Sequence, residues 1–219
     1  MLKKECELSP ITGTTYRAAE KRLAPDHGNR QNHASQTEEN IVTALVSRLV
    51  RYRTLRLVVV MWIVTTLIGA ALGAALIVML NLGILDESQM GGEILDSLPP
   101  LGFLLVALLF APILETWVFQ LALLLLAKKL TEWLARSDSW LPAFLITSLA
   151  FAGLHATNAV DTWSIYGLLH AVARIPGGVA LTLLAIVERV REGGYPVLSV
   201  ILLHSMYNTV PVFLFAVSE

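Results

Sequence analysis

Five long hydrophobic stretches, separated by short polar segments, follow one another from residue 57 onwards. Most approach or exceed the roughly 20 residues that an α-helix needs to cross the hydrocarbon core of a bilayer. The pattern predicts an all-α, polytopic helical membrane protein with about five transmembrane helices. The predicted helices lie at about Leu57–Leu80, Leu98–Ala127, Trp140–Ala156, Ser164–Val187 and Tyr195–Val217.

The segment that precedes the first stretch is polar, with mixed charges and scattered Gly, Pro, Asn and Gln. Such a composition buries too little apolar surface to offset the entropy of ordering, so residues 1–47 are expected to form a mostly disordered tail. Residues 48–219 are then the membrane domain. A short surface helix is expected over Ile41–Val50. His27 and His33 lack metal-ligand spacing and are interpreted as solvated.

Composition and charge narrow the class further. Hydrophobic residues make up 55% of the chain and the net charge is −1, which indicates a membrane protein with no nucleic-acid partner. No signal-peptide pattern precedes residue 41, so the first stretch is expected to act as its own insertion signal. Basic residues flank alternate loops, which predicts a cytoplasmic N terminus in a bacterial cytoplasmic membrane. These are Arg48, Arg51, Arg53, Arg56, Lys128, Lys129, Arg136, Arg189 and Arg191.

Three of the hydrophobic stretches contain polar groups that hydrocarbon disfavours. The second stretch contains Glu115, the third contains His155, and the fifth contains His204 and Asn208. A charge near the bilayer centre costs roughly 2.5–3.5 kcal/mol even on lenient insertion scales, so such residues are candidates for a functional site. A single intramembrane His or Asn can instead join two helices through a hydrogen bond worth about 0.6–2 kcal/mol.

The four polar groups are predicted to share one depth in the membrane. At about 1.5 Å per helical residue, Glu115 and His155 lie roughly 20 and 22 Å from the predicted cytoplasmic ends of their helices. His204 and Asn208 lie roughly 14 and 20 Å from theirs, and their spacing of four places them on one helix face. The sequence therefore predicts one polar layer shared by three helices.

Two kinds of chemistry suit this set. A buried carboxylate can act as a general base towards water, assisted by one histidine, while a second histidine and Asn208 donate hydrogen bonds to a developing oxyanion. Alternatively, Glu115, His155 and His204 are acceptable zinc ligands. The residues alone leave both readings open. No cofactor is favoured, and zinc is the metal to be considered.

The fourth stretch contains a further charge, Arg174, roughly 21 Å from its cytoplasmic end and so in the same layer. His170 lies one turn away on the same face. Arg174 is predicted to face Glu115 or a cavity. In the alternative, it hydrogen-bonds carbonyls freed where Pro176 and the two glycines after it break the helix.

At these residues the chain resembles the CPBP family, the CAAX-protease and bacteriocin-processing (Abi) intramembrane proteases, which includes the type II CAAX prenyl endopeptidases. The family pattern is APxxEExxFR, then FxxxH, then HxxxN or HxxxD, on successive helices. The resemblance covers about residues 98–215. The matching residues are Ala111, Pro112, Glu115, Phe119, Phe151, His155, His204 and Asn208.

The resemblance implies an intramembrane endopeptidase in which Glu115 activates water and His155, His204 and Asn208 complete the catalytic set. It implies a membrane-associated or lipidated peptide substrate, with membrane lipid as the other partner. The chain departs from the motif at Thr116, where the second Glu is expected, and at Gln120, where Arg is expected.

Possible supporting residues are Arg174, Thr116, Gln120 and Phe151. Two other functions stay open. One is a family member that has lost catalysis and binds a peptide or membrane-protein partner. The other is a small proton-coupled transporter that uses Glu115 in a proton relay.

Overall fold

The computed structural model describes residues 41–86, 88, 99–135, 139–157, 161 and 163–218, with side chains up to Phe213. Throughout these ranges the regular structure is helical. The helices are α1 (41–49), α2 (Thr54–Asn81), α3 (100–135), α4 (Leu141–Ala156), α5 (Ile165–Val190) and α6 (Pro196–Ser218). The first 40 residues of the predicted tail, with His27 and His33, lie outside the described residues, and α1 confirms the short helix expected before the first stretch.

Helices α2, α3, α5 and α6 are long and apolar enough to cross a membrane. Helix α4 has 16 residues, a length of about 24 Å, which is shorter than the roughly 30 Å hydrocarbon core. Large apolar side chains such as Leu67, Ile77 and Leu114 are exposed on the outer surface. That surface suits contact with lipid, and the chain is an integral membrane protein.

Helix α3 alternates between two kinds of helical turn. Segments of α-helix (Pro100–Leu105, Ala111–Glu115, Leu124–Ala135) are separated by π-helical segments, Val106–Phe110 and Thr116–Leu123. Short π-helical segments are rare and occur often at functional sites, because the wider turn re-aims the side chains beside it. Glu115 lies at the junction between the central α-helical segment and the second π-helical one.

Helix α5 is the centre of the bundle and the most buried of the four long helices, since 56% of its most apolar 18-residue segment is buried. It packs on α4, α2 and α6. The prediction that Pro176 breaks this helix is wrong, because α5 runs without interruption from Ile165 to Val190. Proline removes one backbone donor, and packing on three neighbouring helices holds the rest of the helix in place.

Two glycines after Pro176 permit that packing. A Cβ atom on Gly178 would lie 2.7 Å from the backbone oxygen of Ser148 and 3.1 Å from the Phe151 ring, so only glycine lets α4 approach this closely. The Tyr207 ring of α6 lies within 3.4 Å of the Cβ position of Gly177, and its hydroxyl lies 3.3 Å from that of Gly69 on α2. The glycines thus set the spacing of four helices around the polar layer.

A buried ion pair joins the N-terminal helices to the end of α5. Glu188, 1% exposed, forms an ion pair with Arg191 and accepts hydrogen bonds from the Thr54 hydroxyl and the Tyr195 N–H. Arg191 also donates to the backbone oxygen of Tyr52 at 2.6 Å. These contacts attach α1 and α2 to the rest of the bundle, and we call them the Glu188 clasp.

Candidate active site

Glu115 and His204 meet in the centre of the molecule. The distance between Glu115 Oε2 and His204 Nε2 is 3.6 Å, slightly longer than a hydrogen bond. Glu115 is 20% exposed, whereas the His204 side chain is 2% exposed. Neither Glu115 Oε2 nor His204 Nδ1 has a hydrogen-bond partner among the described residues. The carboxylate of α3 and the imidazole of α6 are thus neighbours inside the bundle.

His155 and His204 both pack against the Phe151 ring. The ring centroids of Phe151 and His155 are 4.7 Å apart, and those of Phe151 and His204 are 5.5 Å apart in an edge-to-face arrangement. Phe119 also packs edge-to-face on Phe151, with the ring centroids 6.0 Å apart. Phe151 is 1% exposed and thus fixes the spacing of the two histidines.

The orientation of His155 determines its tautomer. Its Nδ1 lies 2.9 Å from the backbone oxygen of Phe151. A carbonyl only accepts hydrogen bonds, so Nδ1 carries the proton and Nε2 of the neutral ring has a free lone pair. His155 is therefore set to accept a proton or a hydrogen bond at Nε2.

His170, which was not among the predicted site residues, supports His155 from α5. Its Nδ1 donates to the backbone oxygen of His155 at 2.9 Å, and its ring stacks on Tyr166 at 5.9 Å. The carbonyl belongs to the last turn of α4, where backbone oxygens have no partner within the helix. In the sequence, the position of His170 four residues before Arg174 was the one indication that it lies near the site.

Asn208 lies one turn after His204 and joins α6 to α3. Its Nδ2 donates a hydrogen bond to the backbone oxygen of Ala107 at 2.9 Å. A side-chain amide has two N–H groups, so one remains for another acceptor. The helix-joining role and a role in binding are thus compatible in this residue.

Thr116 and Gln120, the two departures from the family pattern, are both completely buried. The Thr116 hydroxyl and both polar atoms of the Gln120 amide have no hydrogen-bond partner among the described residues. They are four residues apart, the spacing at which a Glu and an Arg on one helix form an ion pair. Because both charges are missing together, this chain buries no unpaired charge at the two positions.

Arg174 lies in α5 and lines a cavity with His170 and Tyr207. It forms no ion pair with Glu115 within 4.0 Å, and no hydrogen bond from it to a helical carbonyl is found in the described part of the chain. The cavity that Arg174 lines does not include Glu115, so the predicted approach of Arg174 to Glu115 stays a prediction.

The described residues include no group of three or more His, Cys, Asp or Glu side chains placed to hold a metal ion. No step below is derived through a metal ion.

The fold and this site together define a polytopic membrane protein with a carboxylate–histidine pair between its helices. The sequence profile described as Rce1-like, type II CAAX prenyl endopeptidase, matches residues 97–210. This is just over half of the 219-residue chain, so the chain belongs to that family.

The match confirms the resemblance seen in the motifs. Endopeptidase activity and membrane-associated prenylated peptide substrates are properties of this family. The matched residues include α3, α4 and α5 and most of α6, whereas α1 and α2 precede them. No curated protein sequence and no solved structure matches the chain.

Proposed function

We propose that the protein is an intramembrane endopeptidase that hydrolyses a peptide bond of a membrane-associated, lipidated substrate with water activated by Glu115. The main support is the 3.6 Å distance between Glu115 Oε2 and His204 Nε2. A general base and an oxyanion donor must both lie about 3 Å from the reacting atoms, so the two groups must be neighbours. The partial exposure of Glu115 leaves one side of the carboxylate open to water.

The reaction has two steps. The Glu115 carboxylate takes a proton from water while the water oxygen forms a bond to the carbonyl carbon of the substrate. The resulting tetrahedral species then loses its amine, because the C–N bond breaks and Glu115 returns the proton to the leaving nitrogen. Water supplies both the hydroxyl of the new carboxylic acid and the proton of the new amine.

The other polar residues act on the charges that develop. His155 accepts a hydrogen bond from the attacking water at Nε2, the nitrogen left free by its Nδ1 contact with Phe151. His204 and the second N–H of Asn208 donate to the oxyanion. Removing one donor of this kind from an active site lowers kcat about 100- to 1,000-fold.

The test is hydrolysis of an S-farnesylated peptide by the purified protein in lipid nanodiscs. Glu115→Gln is expected to abolish hydrolysis while the protein keeps its thermal midpoint, because an amide cannot take the proton. Glu132→Gln is the matched control, since Glu132 is an exposed carboxylate on the same helix. Wild-type rates in purified Glu115→Gln would exclude the mechanism. A zinc chelator is expected to leave the rate unchanged.

A second candidate function is peptide binding by a family member that has lost catalysis. The uncharged and unsatisfied Thr116 and Gln120 favour it, because the resemblance implies an ionised pair there. This candidate predicts that wild type and Glu115→Gln bind the same peptide equally and that neither cleaves it. The assay above therefore separates the two.

A further inference from the structure

Positive charge is concentrated where α1 meets α2. Four arginines lie there within nine residues, namely Arg48, Arg51, Arg53 and Arg56. No acidic residue occurs between residues 41 and 85 to balance them. All four side chains are exposed, and none forms an ion pair or a hydrogen bond with a described residue. This corner of the bundle therefore presents four unpaired positive charges to its surroundings.

An apolar stripe continues from these charges along the outer face of α2. Val60, Ile63 and Leu67 follow Arg56 by four, seven and eleven residues, the spacing that keeps side chains on one helix face. They are 51%, 45% and 66% exposed. At 1.5 Å per residue, the stripe ends about 16 Å from Arg56. That length matches one leaflet, which is half of the roughly 30 Å hydrocarbon core.

Exposed aromatic side chains place this end of the bundle at the membrane surface. Trp133 and Tyr195 are 76% and 67% exposed. Tyr195 adjoins the corner, because its N–H bonds to the same Glu188 carboxylate as the Thr54 hydroxyl. Trp and Tyr are enriched at the interface between membrane and water. The arginines thus lie at the level of lipid headgroups, and the stripe extends from them towards the bilayer centre.

We propose that Arg53 and Arg56 bind the phosphate of an anionic phospholipid whose acyl chain lies along Val60, Ile63 and Leu67. A guanidinium binds phosphate through two parallel hydrogen bonds, and Arg53 lies one turn before Arg56 on the same face. Arg48 and Arg51 add positive charge beside the site. The inference goes beyond the proposed function and does not depend on it.

The Glu188 clasp holds this site in place. Arg191 donates a hydrogen bond to the backbone oxygen of Tyr52, and the Thr54 hydroxyl donates to Glu188. The residues on both sides of Arg53 are therefore attached to the end of α5. A site fixed in this way loses less conformational entropy on binding a lipid than a flexible basic segment would.

A phospholipid fits this surface better than a soluble phosphate compound does. The arginines alone would suit any phosphate group. The stripe joins them without a break, and its exposed apolar side chains suit a hydrocarbon chain. A ligand with both a phosphate group and an acyl chain uses the whole surface, whereas a soluble phosphate ester would leave the stripe uncovered.

Arg189 provides a matched control for Arg56. It is also an exposed arginine, and it lies on α5 at the same end of the bundle. The residues one turn before it, Ala185 and Ile186, are 1% and 0% exposed. Arg189 therefore has the same charge as Arg56 but no exposed apolar stripe beside it.

The test measures lipid binding to the purified protein in a neutral detergent by native mass spectrometry. Phosphatidylglycerol is compared with phosphatidylcholine that carries the same acyl chains. One basic side chain near the surface strengthens the binding of an anionic lipid about fivefold, so the two arginines should give wild type a preference of about 25-fold. Arg56→Gln should lower the preference about fivefold, and Arg53→Gln/Arg56→Gln should abolish it. Arg53→Lys/Arg56→Lys should keep most of it.

Arg189→Gln should leave the preference unchanged. Equal binding of the two lipids to wild type would overturn the proposal. Equal losses in Arg56→Gln and Arg189→Gln would also overturn it, because they would reduce the effect to the overall charge of this end. Displacement of phosphatidylglycerol by an equal concentration of glycerol 3-phosphate would show that the stripe contributes nothing and would refute the lipid site.

Photolabelling tests the position of the acyl chain. Phosphatidylglycerol with a diazirine in its acyl chain, incorporated into lipid nanodiscs, should label Val60, Ile63 and Leu67. Labelling of these residues should fall in Arg53→Gln/Arg56→Gln. Leu145 and Leu149 of α4 are exposed and have no basic residue within one turn, so their labelling should be equal in both proteins. Unchanged labelling of α2 in the double variant would show that the arginines do not hold the lipid.

Discussion

Asn208 supplies the hydrogen bond that Pro112 cannot give to Ala107. In the π-helical segment before Pro112, the Ala111 N–H bonds to the backbone oxygen of Val106, five residues back. By the same five-residue spacing, the N–H of residue 112 would bond to the oxygen of Ala107, but proline has no N–H. The oxygen of Ala107 is instead bonded by Asn208 Nδ2 at 2.9 Å. The helix that carries Glu115 is thus attached to the helix that carries His204.

This relationship predicts that Asn208 and Pro112 are energetically coupled. Asn208→Ala should destabilise the protein by about 0.5–1.5 kcal/mol, because it removes a hydrogen bond from a part-buried carbonyl. In a Pro112→Ala background the new N–H can bond that carbonyl, so the same substitution should cost much less. Thermal unfolding of the four proteins in one detergent measures the coupling. Strictly additive losses would contradict it.

Restoring the family's charges at Thr116 and Gln120 should show the same kind of coupling. Thr116→Glu and Gln120→Arg should each destabilise the protein, since each places a lone charge at a completely buried position. The double substitution should recover much of the loss, with an interaction energy of about 1–3 kcal/mol. The control is Thr116→Glu/Gln120→Glu, which should be the least stable of all. If the double variant lost as much stability as the two single variants together, the two side chains would not be in contact.

Gly178 should be intolerant of any side chain. Gly178→Ala places a methyl group 2.7 Å from the Ser148 oxygen and 3.1 Å from Phe151, so α4 and α5 must separate. Phe151 contacts both His155 and His204, so the separation should lower both the thermal midpoint and kcat. Gly153→Ala on α4 is the control, because a Cβ atom there meets nothing within 4 Å. Similar losses in the two variants would refute the explanation.

The Glu188 clasp should contribute strongly to stability. Glu188→Ala leaves Arg191 without its buried partner, and breaking such a pair typically costs about 3–5 kcal/mol. Glu192→Ala removes an exposed carboxylate one turn away and should have little effect. Chemical unfolding of both variants in detergent gives the comparison. A small effect of Glu188→Ala would mean that α1 and α2 are held mainly by apolar contacts.

The orientation in the membrane can be tested by cysteine labelling. In a Cys6→Ser background, cysteines at Asp86 and Asp161 should react with an impermeant maleimide on intact cells. A cysteine at Glu192 should react only after permeabilisation, because the basic residues near it favour the cytoplasmic side. All three positions are exposed in the structure. The reverse pattern would invert the proposed topology.

Much of the fold follows from the sequence because hydrophobic length is a local property. Runs of apolar residues set where helices begin and end, and the observed α2, α5 and α6 lie within a few residues of the predicted spans. The constant rise of a helix also converts residue number into depth. Glu115 and His204, predicted to share a layer, are neighbours in the structure.

Rotation about each helix axis and the choice of neighbours are decided by tertiary packing. Nothing local indicates that Phe151 packs against both His155 and His204, or that Asn208 bonds to Ala107. Pro176 shows the same limit, since a local rule predicts a break and three packed helices keep α5 continuous. The residue number of Arg174 predicts its depth along α5, but only the positions of α2 and α6 decide that it lines a cavity. Depth is determined along one chain segment, whereas contact requires segments far apart in sequence to meet.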